Sequence, residues 1–417
     1  MSLDSGVEIL KLARLVGAEA DELSYLQEVA PQDIRDLREQ VTVTMFDADR
    51  QLLQRVAAAT KLIPAKLGAV IGERAFGPLL CARVTGLLDP SRAVEIAERL
   101  PTEFLADLAT ELDPRRASRV IAEIPARQVA EITEDLAARA EFIVMGGFVG
   151  QLPEAALRAA TEAIDDRALL LTAYVIEAKG NLGSLLALLH TERLETIIRT
   201  AHEDELWVEA LDVLGHVSER QRGELGDLVA AQEDAVLDSM VATAQREGLW
   251  CEVLPVTRAM SPDSRVRFAK LRSVQERPVL ASIVDAASRH EPWPALLVLL
   301  PLLPPAGRRH VAGLANGFAP ETLEQVIAAT HAHGLWAPLI PFVTELEGRT
   351  QALLATLIAK AGDDVLDGLL ETVEAGRLAA ELGAITSSLE DGDRKRFAKR
   401  VAKQEDAELL CGSLETG

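Results

Sequence analysis

The chain of 417 residues carries 43 lysines and arginines against 65 aspartates and glutamates, a formal net charge of −22, with 48% hydrophobic and only 4% aromatic residues. Such a balance repels nucleic-acid phosphates and anionic membrane surfaces unless the cations are segregated on one face. The apolar fraction excludes a disordered acidic tail, and the length calls for two or three domains or one elongated stack of repeats.

The chain opens MSLDSGVEILKLARLVGAEADE, amphipathic and then acidic, without the basic start and cleavage site of a secretory signal. Ile9, Leu12, Leu15 and Val16 predict one helix, Ile34 to Leu37 the start of another, and Leu52 to Ala59 a third that ends before Pro64. Residues 1–75 are read as a helical cap or oligomerisation segment. The stretch from Ile63 to Leu88 is rich in Ala, Gly and Leu, with Lys66, Glu73, Arg74 and Arg83 as its charges. It reads as a cap or dimerisation element, with a peripheral membrane anchor as the alternative.

A short repeat follows. Leu88-Asp89-Pro90-Ser91-Arg92-Ala93 returns 24 positions later as Leu112-Asp113-Pro114-Arg115-Arg116-Ala117, and Leu100-Pro101 returns as Ile124-Pro125. Each Asp-Pro is expected to open a helix, aspartate capping and proline filling the first turn. Ala93, Ile96, Ala97 and Leu100 make one apolar stripe, and Phe104, Leu105, Leu108 and Leu112 the next. The run LLDPSRAVEIAERLPTEFLADLATELDPRRASRVIAEIPARQVAEITEDL resembles the intracellular N-terminal domain of MgtE-type magnesium transporters, over roughly residues 75–170. The resemblance implies a right-handed superhelix of short helices for residues 76–190. It also implies an acidic surface, to which Glu95, Glu98, Glu103, Asp107 and Glu111 contribute. Glu95, Glu98, Asp107 and Glu111 are accordingly the candidate ligands for a magnesium-sensing alternative, weighed against plain solvated helix faces.

From residue 191 to 405 a longer period takes over. Trp207, Trp250, Trp293 and Trp336 stand 43 positions apart. Thirteen before each lie Leu194, Leu237, Leu280 and Leu323, and four after each lie Leu211, Leu254, Leu297 and Ile340. A fifth copy keeps the phase with Leu366, Leu369, Leu370, Leu382, Ile385 and Phe397, with Ala379 in the tryptophan place. This is the period of armadillo- or HEAT-like repeats, three helices per copy. In the second copy the helices are expected over about Asp234–Arg246, Leu249–Arg258 and Pro262–Leu271, with Gly248 ending the first and Ser261 capping the third. The phase the tryptophans share with the leucines makes them repeat core rather than a ligand platform. Residues 406–417 are a tail. The fold expected is therefore all-α, a right-handed superhelical α-solenoid without strands.

Cys81, Cys251 and Cys411 form neither a pair nor a CxxC motif, which suits a reducing compartment and, with the missing signal, the cytoplasm. The most apolar stretch, Ala295 to Leu303, is about nine residues long and contains Pro301, too short to span a bilayer. The nucleotide-binding, zinc-protease and hydrolase signatures are missing, so no cofactor and no enzyme activity are expected. His202 and His331 lie five before a tryptophan and His290 and His333 three before, where histidine suits a helix end better than a metal site.

One row stands out. Fifteen positions after each tryptophan place come Arg222, Arg265, Arg308, Gln351 and Arg394. These arginines grip carboxylates or carbonyls of a partner in a groove, or they pair with acids of the adjacent repeat. The function expected is a non-enzymatic scaffold that binds a protein partner, with homo-oligomerisation open. Its alternatives are a divalent-cation or small-ligand sensor and a peripheral membrane protein.

Overall fold

The computed structural model describes residues 3–47, 50–290, 292–376, 378, 381–383, 386, 389, 392–395 and 397. The described residues are mostly helical, joined by short turns and loops, with no strand among them. Ala, Leu, Arg and Glu favour helix intrinsically, and Pro and Gly punctuate it. The first three helices run Leu3–Val16, Pro31–Asp47 and Arg50–Ala59. The second 43-residue copy folds as Asp234–Glu247, Trp250–Ala259 and Pro262–Lys270. Copies on either side also carry three helices, as in Arg277–His290, Trp293–Leu299 and Pro305–Ala315. Positions of the fifth copy such as Ala379 and Ile385 lie outside the described residues.

Local signals act as their chemistry dictates, with two corrections. Ser261 accepts the amide of Ser264 and caps Pro262–Lys270. Gly248 and Gly334 take positive φ, 71° and 64°, as helix terminators do. Glu205, at the same place two before Trp207, adopts φ 59° without being glycine. Asp89 occupies the N-cap of Pro90–Ala97 but makes no side-chain cap bond. Asp113-Pro114 opens a turn rather than a helix. Asp113 accepts the amide of Arg115 through Oδ1, and the α-helix starts only at Ser118.

Contacts divide the chain into two units, Met1–Val217 and Ser218–Gly417. The division falls inside the first 43-residue copy, between its second and third helices. In the amino-terminal unit every second helix packs on the last, from Gly77–Thr85 through Thr102–Glu111 and Ala126–Ala138 to Glu154–Glu162. Their inner faces enclose an apolar cavity of about 110 Å³ near Leu105, Leu136, Phe148 and Leu169. In the carboxy-terminal unit Trp250–Ala259 packs on Glu219–Ala231, Arg277–His290 and Trp293–Leu299. Gly223 permits the first of these contacts, because a Cβ there would lie 2.4 Å from the carbonyl oxygen of Ala259.

All four tryptophans are buried. The indole N–H groups of Trp250, Trp293 and Trp336 fare differently, and the residue five places earlier differs in each. Gln245 accepts from Trp250 Nε1 at 3.2 Å. Ser288 is too short and turns its hydroxyl to the Asp285 carbonyl, leaving the buried Trp293 Nε1 without an acceptor. That ring instead meets Phe318 edge-on at 5.8 Å. His331 lies 3.3 Å from Asp364, and Trp336 Nε1 is likewise left without an acceptor.

Candidate functional site

The arginine row does not act as one ladder. Arg308 Nε pairs with Glu345 at 2.9 Å, an acid of the next 43-residue copy. That is the repeat-tying role. Arg265 stands at the equivalent place one copy earlier, but Leu302 replaces the glutamate there. Arg265 is half-buried, and its enclosed Nε meets no acceptor. Arg394 donates to the Leu389 carbonyl, and Arg222 is half-buried on Glu219–Ala231. Other arginines clamp backbone. Arg92 donates to the carbonyls of Thr60 and Ile63, Arg193 to those of Thr161 and Ile164, and Arg267 to those of Ala230 and Gln232. A guanidinium fork suits carbonyls left open where the preceding helix ends.

The acidic residues weighed as magnesium ligands are occupied or dispersed. Glu95 pairs with Arg92 and Arg99, and Asp107 pairs with Arg139, while Glu98 and Glu111 are exposed. None of them belongs to the group of three potential ligands found among the described residues, which is Asp4, Asp212 and His216.

That group lies beside a larger ion network in the amino-terminal unit. Glu8 and Lys11 sit on the buried side of Leu3–Val16 and are only 2% and 4% exposed. Glu8 accepts from Arg35 at 3.0 Å and from Arg38 at 3.1 Å. Lys11 Nζ reaches Glu8 at 3.3 Å, Glu177 at 3.4 Å and the Ile176 carbonyl at 3.2 Å. Glu177 in turn receives Arg38 at 2.6 Å and Arg115 at 2.8 Å, and Arg115 also holds Glu39 at 2.7 Å. Burial alone would raise the Glu177 carboxyl. The Arg38 hydrogen bond and the charges of Lys11, Arg38 and Arg115 outweigh it and hold the group at about 2. Burial drives Lys11 down, and Glu177 and Glu8 oppose the shift.

At the other end of the first helix, His216 Nε2 lies 3.3 Å from Asp4, and its Nδ1 lies 2.8 Å from the Asp212 carbonyl. Both nitrogens face acceptors, so the ring donates to both only when doubly protonated. The Asp4 hydrogen bond raises His216 against the opposing effect of burial. Lys179 Nζ is 2.5 Å from Asp212. Asp212 is thus paired with Lys179, and protonation of His216 supplies a second positive charge, beside Asp4.

The network borders a cleft of about 700 Å³ within the same unit. Its wall carries six cations, Lys11, Arg14, Arg38, Arg83, Arg115 and Arg116, against four acids, Glu39, Glu111, Asp113 and Glu177. The cations outnumber the acids that line the cleft by two, and Glu8 and Glu141 beside it also pair with Lys11, Arg38 and Arg14. The sequence does not reveal the cleft because its cations come from four separate stretches of chain. The only sequence signal is Arg115-Arg116, at the end of the short repeat. Comparison with protein-family models, with curated proteins and with solved structures finds no match to this chain.

Proposed function

We propose that the chain is a non-enzymatic α-solenoid scaffold whose amino-terminal unit holds an acidic segment of a protein partner in the cationic cleft. The observation that carries this reading is the concentration of arginine on that wall, with Arg115 and Arg116 partly open to solvent. Glu39, which holds one arm of Arg115, is itself 47% exposed, and a partner carboxylate exchanges for such a group at little cost. The freed Nη1 of Arg115 then donates to the incoming carboxylate while Nη2 stays on Glu177, a charge-assisted hydrogen bond stronger than one between neutral groups. The 43-residue period supports the solenoid, because helices that repeat at this spacing bury a continuous core only by stacking.

The test is a fluorescence-anisotropy titration with a glutamate-rich twelve-residue peptide. Wild type should bind with an affinity that falls steeply with salt, and Arg115→Gln, Arg116→Gln should weaken binding about tenfold or more at unchanged helicity. Equal binding by both proteins, or none by wild type, sinks the reading.

A further inference from the structure

Every large apolar side chain that is exposed among the described residues lies at or before residue 79. Six of the eleven belong to residues 50–79: Leu52, Leu62, Leu67, Val70, Phe76 and Leu79. The helix Ala65–Ile71 and the π turn Gly72–Phe76 that extends it show how this arises. Their buried side carries Ala65, Ala69 and Gly72, and their exposed side carries Lys66, Leu67, Val70, Glu73 and Arg74. Gly68 fits against Ile96 with room for little more, since an added Cβ would lie 3.3 Å from its Cδ1. Small residues face inward and large apolar ones outward, the reverse of what burial alone would select. Leu62 is the extreme case, 87% exposed between Lys61 and Pro64.

The charge of the same segment is equally out of character. Residues 50–83 contain Arg50, Arg55, Lys61, Lys66, Arg74 and Arg83 and a single carboxylate, Glu73, in a chain whose net charge is −22. Arg55, Lys61, Lys66 and Arg74 are exposed. We infer that this face is a peripheral membrane-binding surface: exposed leucines enter the interface of an anionic bilayer while the neighbouring lysines and arginines pair with its headgroups. Charge complementarity selects the occupant. A two-fold dimer through this face would set its cations against their own copies. An acidic peptide would satisfy the cations but leave Leu62 and Leu67 in water. The acidic remainder of the chain is screened from the bilayer beyond about 8 Å at physiological salt.

The test is co-sedimentation with vesicles of phosphatidylcholine containing 30% phosphatidylglycerol, beside vesicles of phosphatidylcholine alone. Wild type should pellet with the anionic vesicles and stay in the supernatant with the neutral ones. Lys61→Gln, Lys66→Gln should weaken binding by about thirtyfold, the factor that two cations near an anionic surface supply. Leu62→Ser, Leu67→Ser should also stay in the supernatant, with circular dichroism unchanged. Leu62→Ser alone serves if that pair loses helicity. Wild type that stays in solution with anionic vesicles overturns the proposal, as does binding indifferent to both pairs of substitutions. A wild-type dimer that Leu62→Ser, Leu67→Ser converts to monomer would assign the face to a second copy and overturn it too. So would a polyglutamate peptide that binds at this face while vesicles do not.

Discussion

Both units have apolar cores, but among the described residues only the amino-terminal unit also buries charged side chains. The carboxy-terminal unit sets a buried indole into three successive 43-residue copies, at Trp250, Trp293 and Trp336, whereas the amino-terminal unit fixes its first helix through Glu8 and Lys11, which are almost entirely enclosed. Apolar burial is non-directional and tolerates a missing partner, as Trp293 and Trp336 tolerate an unpaired indole N–H. A buried ion network tolerates no missing partner, because each charge it keeps must be compensated. The first unit should therefore respond to pH and to single charge deletions, and the second to lost volume.

The largest effects come from deletion. Trp250→Ala should cost about 3–5 kcal/mol in urea unfolding, with little dependence on pH or salt. Glu8→Ala should cost a similar amount, about 3–5 kcal/mol, because Lys11, Arg35 and Arg38 then lose a buried counter-charge. The two mechanisms separate in a second substitution. Glu8→Ala, Lys11→Met should recover part of the loss, whereas no second truncation beside Trp250→Ala should do so. A double variant less stable than Glu8→Ala would refute the ion-network account.

Titration is the next lever, and the two ends of the first helix respond in opposite senses. Glu177 is depressed to about 2, below its unfolded value near 4.5, so its contribution is present above the unfolded value. It is lost as pH falls through that window, and at full pairing it amounts to about 3 kcal/mol. His216 is raised, so its contribution is complete below the unfolded value near 6.5 and is lost as pH rises through the folded one. Melting curves from pH 3 to pH 9 should fall at both extremes. Glu177→Gln should flatten the acid limb and His216→Gln the alkaline one. Limbs unchanged in these variants would place the titration elsewhere.

A smaller gain is available at Trp293. Ser288→Gln restores the acceptor that Gln245 gives Trp250 and should stabilise the carboxy-terminal unit by about 1 kcal/mol. A loss, read in the same urea titration, would show that the place is closed to a longer side chain. Smallest of all is the arginine row. A double-mutant cycle on Arg308 and Glu345 should return a coupling of about 0.5–1 kcal/mol, and Arg265→Ala should change stability by about 0.5 kcal/mol or less. Equal couplings at the two places would restore the picture of a uniform ladder.

Helices were legible wherever one short rule acts within one turn. The 43-residue phase of the tryptophans, Ser261 ahead of Pro262 and the glycines two before Trp250 and Trp336 are such rules. Glu205 shows their limit, because the backbone there takes a left-handed turn that its side chain does not advertise. Asp113-Pro114 shows another, a helix-opening signal spent on a turn. The arginine row was legible as a pattern but not as a role, since whether it is paired depends on the residue that the next copy supplies, Glu345 or Leu302. Nor could the cleft be read, because Lys11, Arg38, Arg83 and Arg115 have no common period.

What the sequence determined by itself is the helical state, the repeat lengths and the residues that anchor each copy, all of which follow from spacing along one chain. Tertiary structure alone decided that Glu8 and Lys11 are buried, that Glu177 faces them across more than 160 positions, and that Leu62 and Leu67 are left outside. The physical reason is range. Helix periodicity is a property of neighbours, whereas the energy of a charge or an exposed leucine depends on what distant chain is brought beside it.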